Sequence, residues 1–155
     1  MNAPCLLRPV LIALTLSMAT ALTGCAHFVV LHDPLTASEH NDLGVAYESG
    51  GQLDLAAREY RRALRLDPHQ ARARVNLGNI EAATGHWGSA EKCYRRALSD
   101  SSTDYDAMNN LAVALLRQGR RLDDARSLVE RAAAAGDARD SVYRATLVEV
   151  KSGGR

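Results

Sequence analysis

Aromatic residues are scarce in this chain: one Trp, five Tyr and one Phe among 155 residues. With few β-branched residues and many Ala, Leu and Arg, that scarcity leans toward helix rather than sheet. A surplus of charge is missing as well. Nineteen Lys and Arg stand against 18 Asp and Glu, a balance that argues against nucleic acid as a partner. The apolar run near the N-terminus falls short of the ~20 residues that a membrane-spanning helix needs. The residue sets that carry chemistry are lacking too: no Ser/His/Asp constellation, no cluster of metal ligands, no phosphate loop. Neither enzymatic activity nor a cofactor, metal or small-molecule substrate is expected.

What is present begins with an export pattern. "MNAPCLLRP" carries Arg8 and no acid, "VLIALTLSMATAL" is free of charge, and "LTGC" follows. A positive start, a short apolar run and small residues before a cut are the marks of a secretory signal. Leu22-Thr23-Gly24-Cys25 resembles the lipobox of bacterial lipoproteins. The resemblance implies that residues 1–24 are removed, that the Cys25 thiol receives diacylglyceryl, and that its amine is acylated in many bacteria. Two or more acyl chains hold a membrane stably where one does so marginally. Ala26 stands where an Asp favours inner-membrane retention, so the resemblance implies the outer membrane, facing the periplasm, in a Gram-negative cell.

Arg8 is the one charged residue in 1–24, so the mature chain keeps 19 − 1 = 18 basic residues against 18 acidic ones. Cys5 leaves with the signal and Cys25 is lipidated. Cys93 then stands alone, and no intrachain disulfide is expected. Residues 25–36 form a tether. Its His27 and His32 flank "FVVL" but are too few for a metal site. That stretch is expected to cover the edge of the array or to rest near lipid.

From residue 37 the chain repeats itself. "YRRAL" occurs at 60–64 and again at 94–98, and the match extends into units of residues 37–70, 71–104 and 105–139. The third fits with one extra residue near Arg120-Arg121. Leu43, Leu77 and Leu111 align, as do Gly44, Gly78 and Ala112. Further on, Ala56, Ala90 and Ala125 align, then Tyr60, Tyr94 and Val129. Each unit splits at a glycine (Gly50-Gly51, Gly85, Gly119), and on either side apolar residues recur at three- and four-residue spacing. Each unit therefore reads as helix, tight turn, helix. Thr36-Ala37-Ser38-Glu39 reads as a capping box, and Asp67-Pro68 closes the first unit. Mid-helix glycine costs about 1 kcal/mol against Ala. Its recurrence at 44 and 78 suggests that two helices approach closely there, with Ala56, Ala90 and Ala125 as the small residues of the partner.

These residues resemble the tetratricopeptide repeat. The first unit meets the family pattern in full with Leu43, Gly44, Tyr47, Ala56, Tyr60, Ala63 and Pro68. The second departs at Glu81 and Ser102, and the third at Leu115, Val129 and Asp137. The implied fold is an all-α solenoid of three helix-turn-helix units. A capping helix over 140–151 and a tail over 152–155 follow it. In that last helix Val142, Leu147 and Val150 are expected to face the array.

By the same resemblance the first helices line a concave groove for an extended peptide or a helix. The groove residues would be Asn41, Val45, Arg72, Asn76, Asn79, Asn109, Asn110, Val113 and Arg117. An amide both donates and accepts, so an Asn row suits a peptide main chain. The lysines of the family's carboxylate clamp are absent: Asn41 and Val75 hold the corresponding places. Arg61, Arg62, Arg65, Arg95 and Arg96 read as a solvated outer face. Cys93, aligned with Glu59, is expected to point outward. The expected role is a membrane-anchored periplasmic adaptor for another envelope protein. Analogy of architecture adds an alternative, an assembly factor of the pilotin kind for a pilus or secretion system.

Overall fold

The computed structural model describes residues 33–136 and 139–153, and among them seven helices and no strand. The expected signal peptide, Cys25 and most of the tether lie outside the described residues, as does the end of the tail. Three hairpins follow one another: α1 (Ala37–Ser49) with α2 (Leu53–Leu66), α3 (Ala71–Ala83) with α4 (Trp87–Asp100), and α5 (Tyr105–Arg117) with α6 (Leu122–Ala134). A last helix, α7 (Asp140–Lys151), closes the array. The two helices of each hairpin pack chiefly on each other, and the second then packs on the first helix of the next pair or on α7. That is the nearest-neighbour stacking of a solenoid.

The ends of the helices follow from local chemistry. Thr36 and Glu39 form the capping box: Thr36 N donates to Glu39 Oε2 at 2.7 Å, and Glu39 N donates back to Thr36 Oγ1 at 3.3 Å. The turn inside each hairpin places one glycine at positive φ, with Gly51 at 71°, Gly85 at 81° and Gly119 at 64°. A Cβ is strained there, which is why the turns keep glycine. The extra residue of the third unit is absorbed by Arg121, which adopts the left-handed conformation at φ 54° and ψ 42°.

The mid-helix glycines have a different partner from the one expected. A Cβ on Gly44 would stand 2.5 Å from Cε1 of Tyr60, and one on Gly78 would stand 2.6 Å from Cε1 of Tyr94. The space is thus taken by a tyrosine ring of the second helix, not by Ala56 or Ala90. Both rings are buried, and both hydroxyls are satisfied: Tyr60 donates to Glu48 Oε2 at 2.6 Å and Tyr94 to Asn79 Oδ1 at 2.9 Å. The third unit solves the same problem in smaller sizes, with Ala112 and Val129 both fully buried. One large and one small partner per hairpin keeps the packing constant.

Two expectations about burial are corrected. Cys93 is not outward: it is half-buried against the cluster of Ala56, Tyr60, Leu77 and Ile80. Its counterpart Glu59 is buried too, with Oε2 2.7 Å from Nδ1 of His40 on the neighbouring helix. That helix position therefore faces into the array, toward its own hairpin at Glu59 and toward the preceding one as well at Cys93. Burial, and then Glu81, push the Cys93 thiol pKa up. In α7 the inward residues are Tyr143, Thr146, Leu147 and Val150, spaced i, i+3, i+4, i+7, whereas Val142 is 51% exposed. Leu147 and Val150 belong to that stripe, and Val142 falls one step outside it.

Ion pairs stitch consecutive units where the family pattern lapses. Glu81, in the place of an aromatic, pairs with Arg61 of the preceding unit at 2.9 Å. Glu91 on α4 accepts from Arg120 at 2.5 Å, Arg95 at 2.8 Å and Gln118 at 3.0 Å. Burial alone would raise its pKa, but these three donors overcome that and hold the carboxyl at about 2. Arg62 and Arg96 instead pair within their own helices, with Glu59 and Asp100.

Two predictions follow from this packing. Gly78→Ala should destabilise by about 1–2 kcal/mol in spite of its gain in helix propensity, because overpacking outweighs it. In a chemical-denaturation double-mutant cycle with Tyr94→Val, the two changes should couple by at least about 1 kcal/mol, and simple additivity would refute the contact. Glu91 is lowered from 4.5 to about 2 on folding, so its stabilisation is complete above pH 4.5 and is lost as pH falls toward 2. Glu91→Gln should therefore flatten the acid limb of stability in that window. An unchanged slope would mean that the network contributes nothing.

Candidate protein-binding groove

The first helices α1, α3 and α5 present a common face. Alternating amides tie it together: Asn76 Nδ2 donates to Asn41 Oδ1 at 3.0 Å, and Asn110 Nδ2 donates to Asn79 Oδ1 at 3.0 Å. Each bond joins adjacent units, so these side chains hold the helices in register as well as lining the face. The Oδ1 of Asn79 also receives the Tyr94 hydroxyl. Both of its lone pairs are then spent, while its Nδ2 has no acceptor among the described residues.

The expected lining divides in two. Asn76, Asn79, Asn110 and Val113 are half-buried on this face, and Val45, Arg72 and Arg117 are exposed. Asn41 and Asn109 do not belong to the accessible lining, and this is a correction: they are 1% and 6% exposed. Together with the buried Val75 they mark a helix position turned into the contact between helices. Asn109 is poorly served there. Its Nδ2 reaches Asn110 Oδ1 only at 3.4 Å, and its buried Oδ1 has no hydrogen-bond partner. Cys25, the expected lipidation site, lies outside the described residues.

The cations of the face are already neutralised. Arg72 lies 3.1 Å from Asp42, Arg117 lies 3.2 Å from Glu149, and Arg139 pairs with Asp106. These exposed pairs are worth little in stability. Two recesses adjoin at Asn79 and Asn110. One, of about 350 Å3, includes Arg72, Asp104, Asp106 and Arg139 in its walls. The other, of about 260 Å3, is lined by Asn79, Ala82, Ala83, Trp87, Tyr94, Asn110 and Val113, without a charged group. Trp87 was not among the residues expected here. Its one visible signal was being the single tryptophan of the chain, because its position opens a second helix rather than a first. Among the described residues no group of three His, Cys, Asp or Glu could hold a metal ion.

Paired helices stacked in register, with an amide-lined face along the first helices, define a helical-repeat solenoid. Family models for the tetratricopeptide repeat match residues 44–85 and 76–141, so the chain carries tetratricopeptide repeats. A relative from Caenorhabditis elegans, tetratricopeptide repeat-containing protein trd-1, is 28% identical over 93 residues. That stretch is 60% of this chain and only 12% of the relative's length. Among solved structures, the first TPR of Spaghetti (RPAP3), bound to the HSP90 peptide SRMEEVD, has a TM-score of 0.69 at 17% identity. It covers 79% of this chain and 96% of that one. The TPR2B domain of yeast Sti1, in a complex with pHsp70, has a TM-score of 0.70 at 15% identity, covering 75% and 96%. At such identities the likeness shows the fold.

The orphaned acceptor of Asn109 makes a prediction. Replacing it with Val, the residue at the equivalent place in the second unit, removes a desolvation cost of about 1–3 kcal/mol. Asn109→Val should be neutral or should raise the melting temperature. A clear loss of stability would show that the amide is satisfied in solution.

Proposed function

We propose that this chain is a membrane-anchored adaptor whose first-helix face binds an extended segment or helix of another envelope protein. One observation carries the reading. The face combines fixed, half-buried amides that retain donor capacity with charges already paired among themselves. Such a surface can match a main chain without demanding a counter-charge. The HSP90 peptide bound to one solved solenoid and the pHsp70 complex of the other lend support. Recognition must differ in kind from a carboxylate clamp, because Asn41, Val75, Asp106 and Asn110 offer no lysine. The anchor is the lipidated Cys25 in an outer membrane, with the solenoid in the periplasm. No catalytic role is assigned.

The test uses a photoreactive residue placed in living cells at Val45 on the face or at Leu66 on a second helix, 42% and 55% exposed. A distinct protein should be captured from position 45 and not from 66, and Cys25→Ser should reduce that capture. Equal capture from both positions would overturn the groove. Capture indifferent to Cys25 would overturn the anchor. If the captured protein is a pore that stays unassembled in a deletion strain, the chain is an assembly factor.

A further inference from the structure

The recess between the second and third units has a chemistry more specific than the face around it. We propose that it is a socket for one uncharged aliphatic side chain of the partner segment, with the adjacent main-chain carbonyl accepting from Asn79 Nδ2. This rests on the groove reading above and names what that groove selects.

Charge complementarity argues for the occupant. The walls are Ala82, Ala83, Trp87, Tyr94 and Val113, with Asn79 and Asn110 at the edge, and none carries charge. A charged side chain entering here would lose hydration with no counter-ion among these walls. Arg139 and Asp106, in the adjoining recess, are bound to each other. A hydroxyl or amide would find hydrogen-bonding groups only at the asparagine edge, not against the apolar walls. The Tyr94 hydroxyl is committed to Asn79 Oδ1, and that oxygen also accepts from Asn110. An apolar side chain loses nothing and releases the water over Trp87. The volume, about 260 Å3, admits an aliphatic side chain of any natural size.

The polarity of the main-chain contact is set by the same two bonds. With both lone pairs of Asn79 Oδ1 occupied, the amide can offer a partner only its N–H groups. It therefore takes a carbonyl and not an amide N–H. Asn110, whose Nδ2 spends one hydrogen on Asn79, has a second to offer. The partner is then an extended strand of protein, presenting a carbonyl next to its aliphatic anchor.

A random peptide library displayed on phage, panned against the full-length chain, supplies the probe. Enriched peptides should share Leu, Ile, Val or Met at one position. A synthetic peptide of that sequence should shift the emission of Trp87, the single tryptophan of the chain. Changing the shared residue to Asp should weaken binding by about tenfold or more. Ala83→Phe, at an exposed wall position, should do the same while melting like the parent. Asn79→Asp keeps both acceptors for Tyr94 and Asn110 but loses the donor, and it too should weaken the peptide about tenfold.

No enrichment at all would defeat the groove reading itself. Enrichment around a charged residue, or binding that leaves Trp87 unmoved, would defeat the socket while the groove stands. Binding indifferent to Asn79→Asp would remove the carbonyl contact. A shift in Trp87 emission that depends on chain concentration with no peptide present would make a second copy the occupant and overturn the proposal. The emission measurement needs no variant, so a misfolded Ala83→Phe would leave the proposal open to refutation.

Discussion

The close approach of a tyrosine ring to a glycine inside each of the first two hairpins sets the geometry on which the rest depends. Gly44 beneath Tyr60 and Gly78 beneath Tyr94 fix how near the two helices of a pair can lie. Because both contacts occur at the same place in the unit, successive hairpins present the same surface to one another. Stacking in register then follows from nearest-neighbour packing alone. The third hairpin reaches a similar fit with Ala112 and Val129, so what is preserved is the combined size of the pair rather than either residue. Glycine in a helix is locally unfavourable, and the ring it admits returns that cost as buried area and a satisfied hydroxyl.

Polar groups take over where apolar ones are missing. Glu81 occupies an aromatic place and recovers a partner by reaching Arg61 in the preceding unit. Glu91 gathers Arg95 from its own helix with Gln118 and Arg120 from the next turn. The extra residue of the third unit, absorbed at Arg121, lies beside Arg120 in that turn. On the first helices the amides do a related job, with Asn76 bonded to Asn41 and Asn110 to Asn79. Cohesion between units thus comes from an ionic seam and an amide seam together with a small apolar core. The same amides that hold the helices also leave donors facing outward, which couples the shape of the face to what it can bind.

Much of this was legible in the residues. A repeat of 34 positions, with apolar spacing of three and four and a glycine between, is a local pattern that only helical hairpins satisfy. The capping box at Thr36 and the stop at Asp67-Pro68 are local as well. The candidate face was less legible. Asn41 and Asn109 share a repeat position with Val75, and that apolar residue was the available sign that the position turns inward. Cys93 shared a place with Glu59, whose charge suggested solvent until its buried bond to His40 was seen. Trp87 could not be placed on the face, because a residue opening a second helix reaches it only through the turn of the chain in space.

The sequence by itself determined the helices, their pairing and the period of the array, because each depends on contacts within one unit or on a pattern repeated at fixed distance; which side chain meets each mid-helix glycine it did not. Tertiary structure alone decided which amides are spent on neighbouring helices and which remain free, which charges cancel, and where an uncharged recess opens. Those properties depend on side chains from different units converging within a hydrogen bond's length, and no spacing along the chain records that distance.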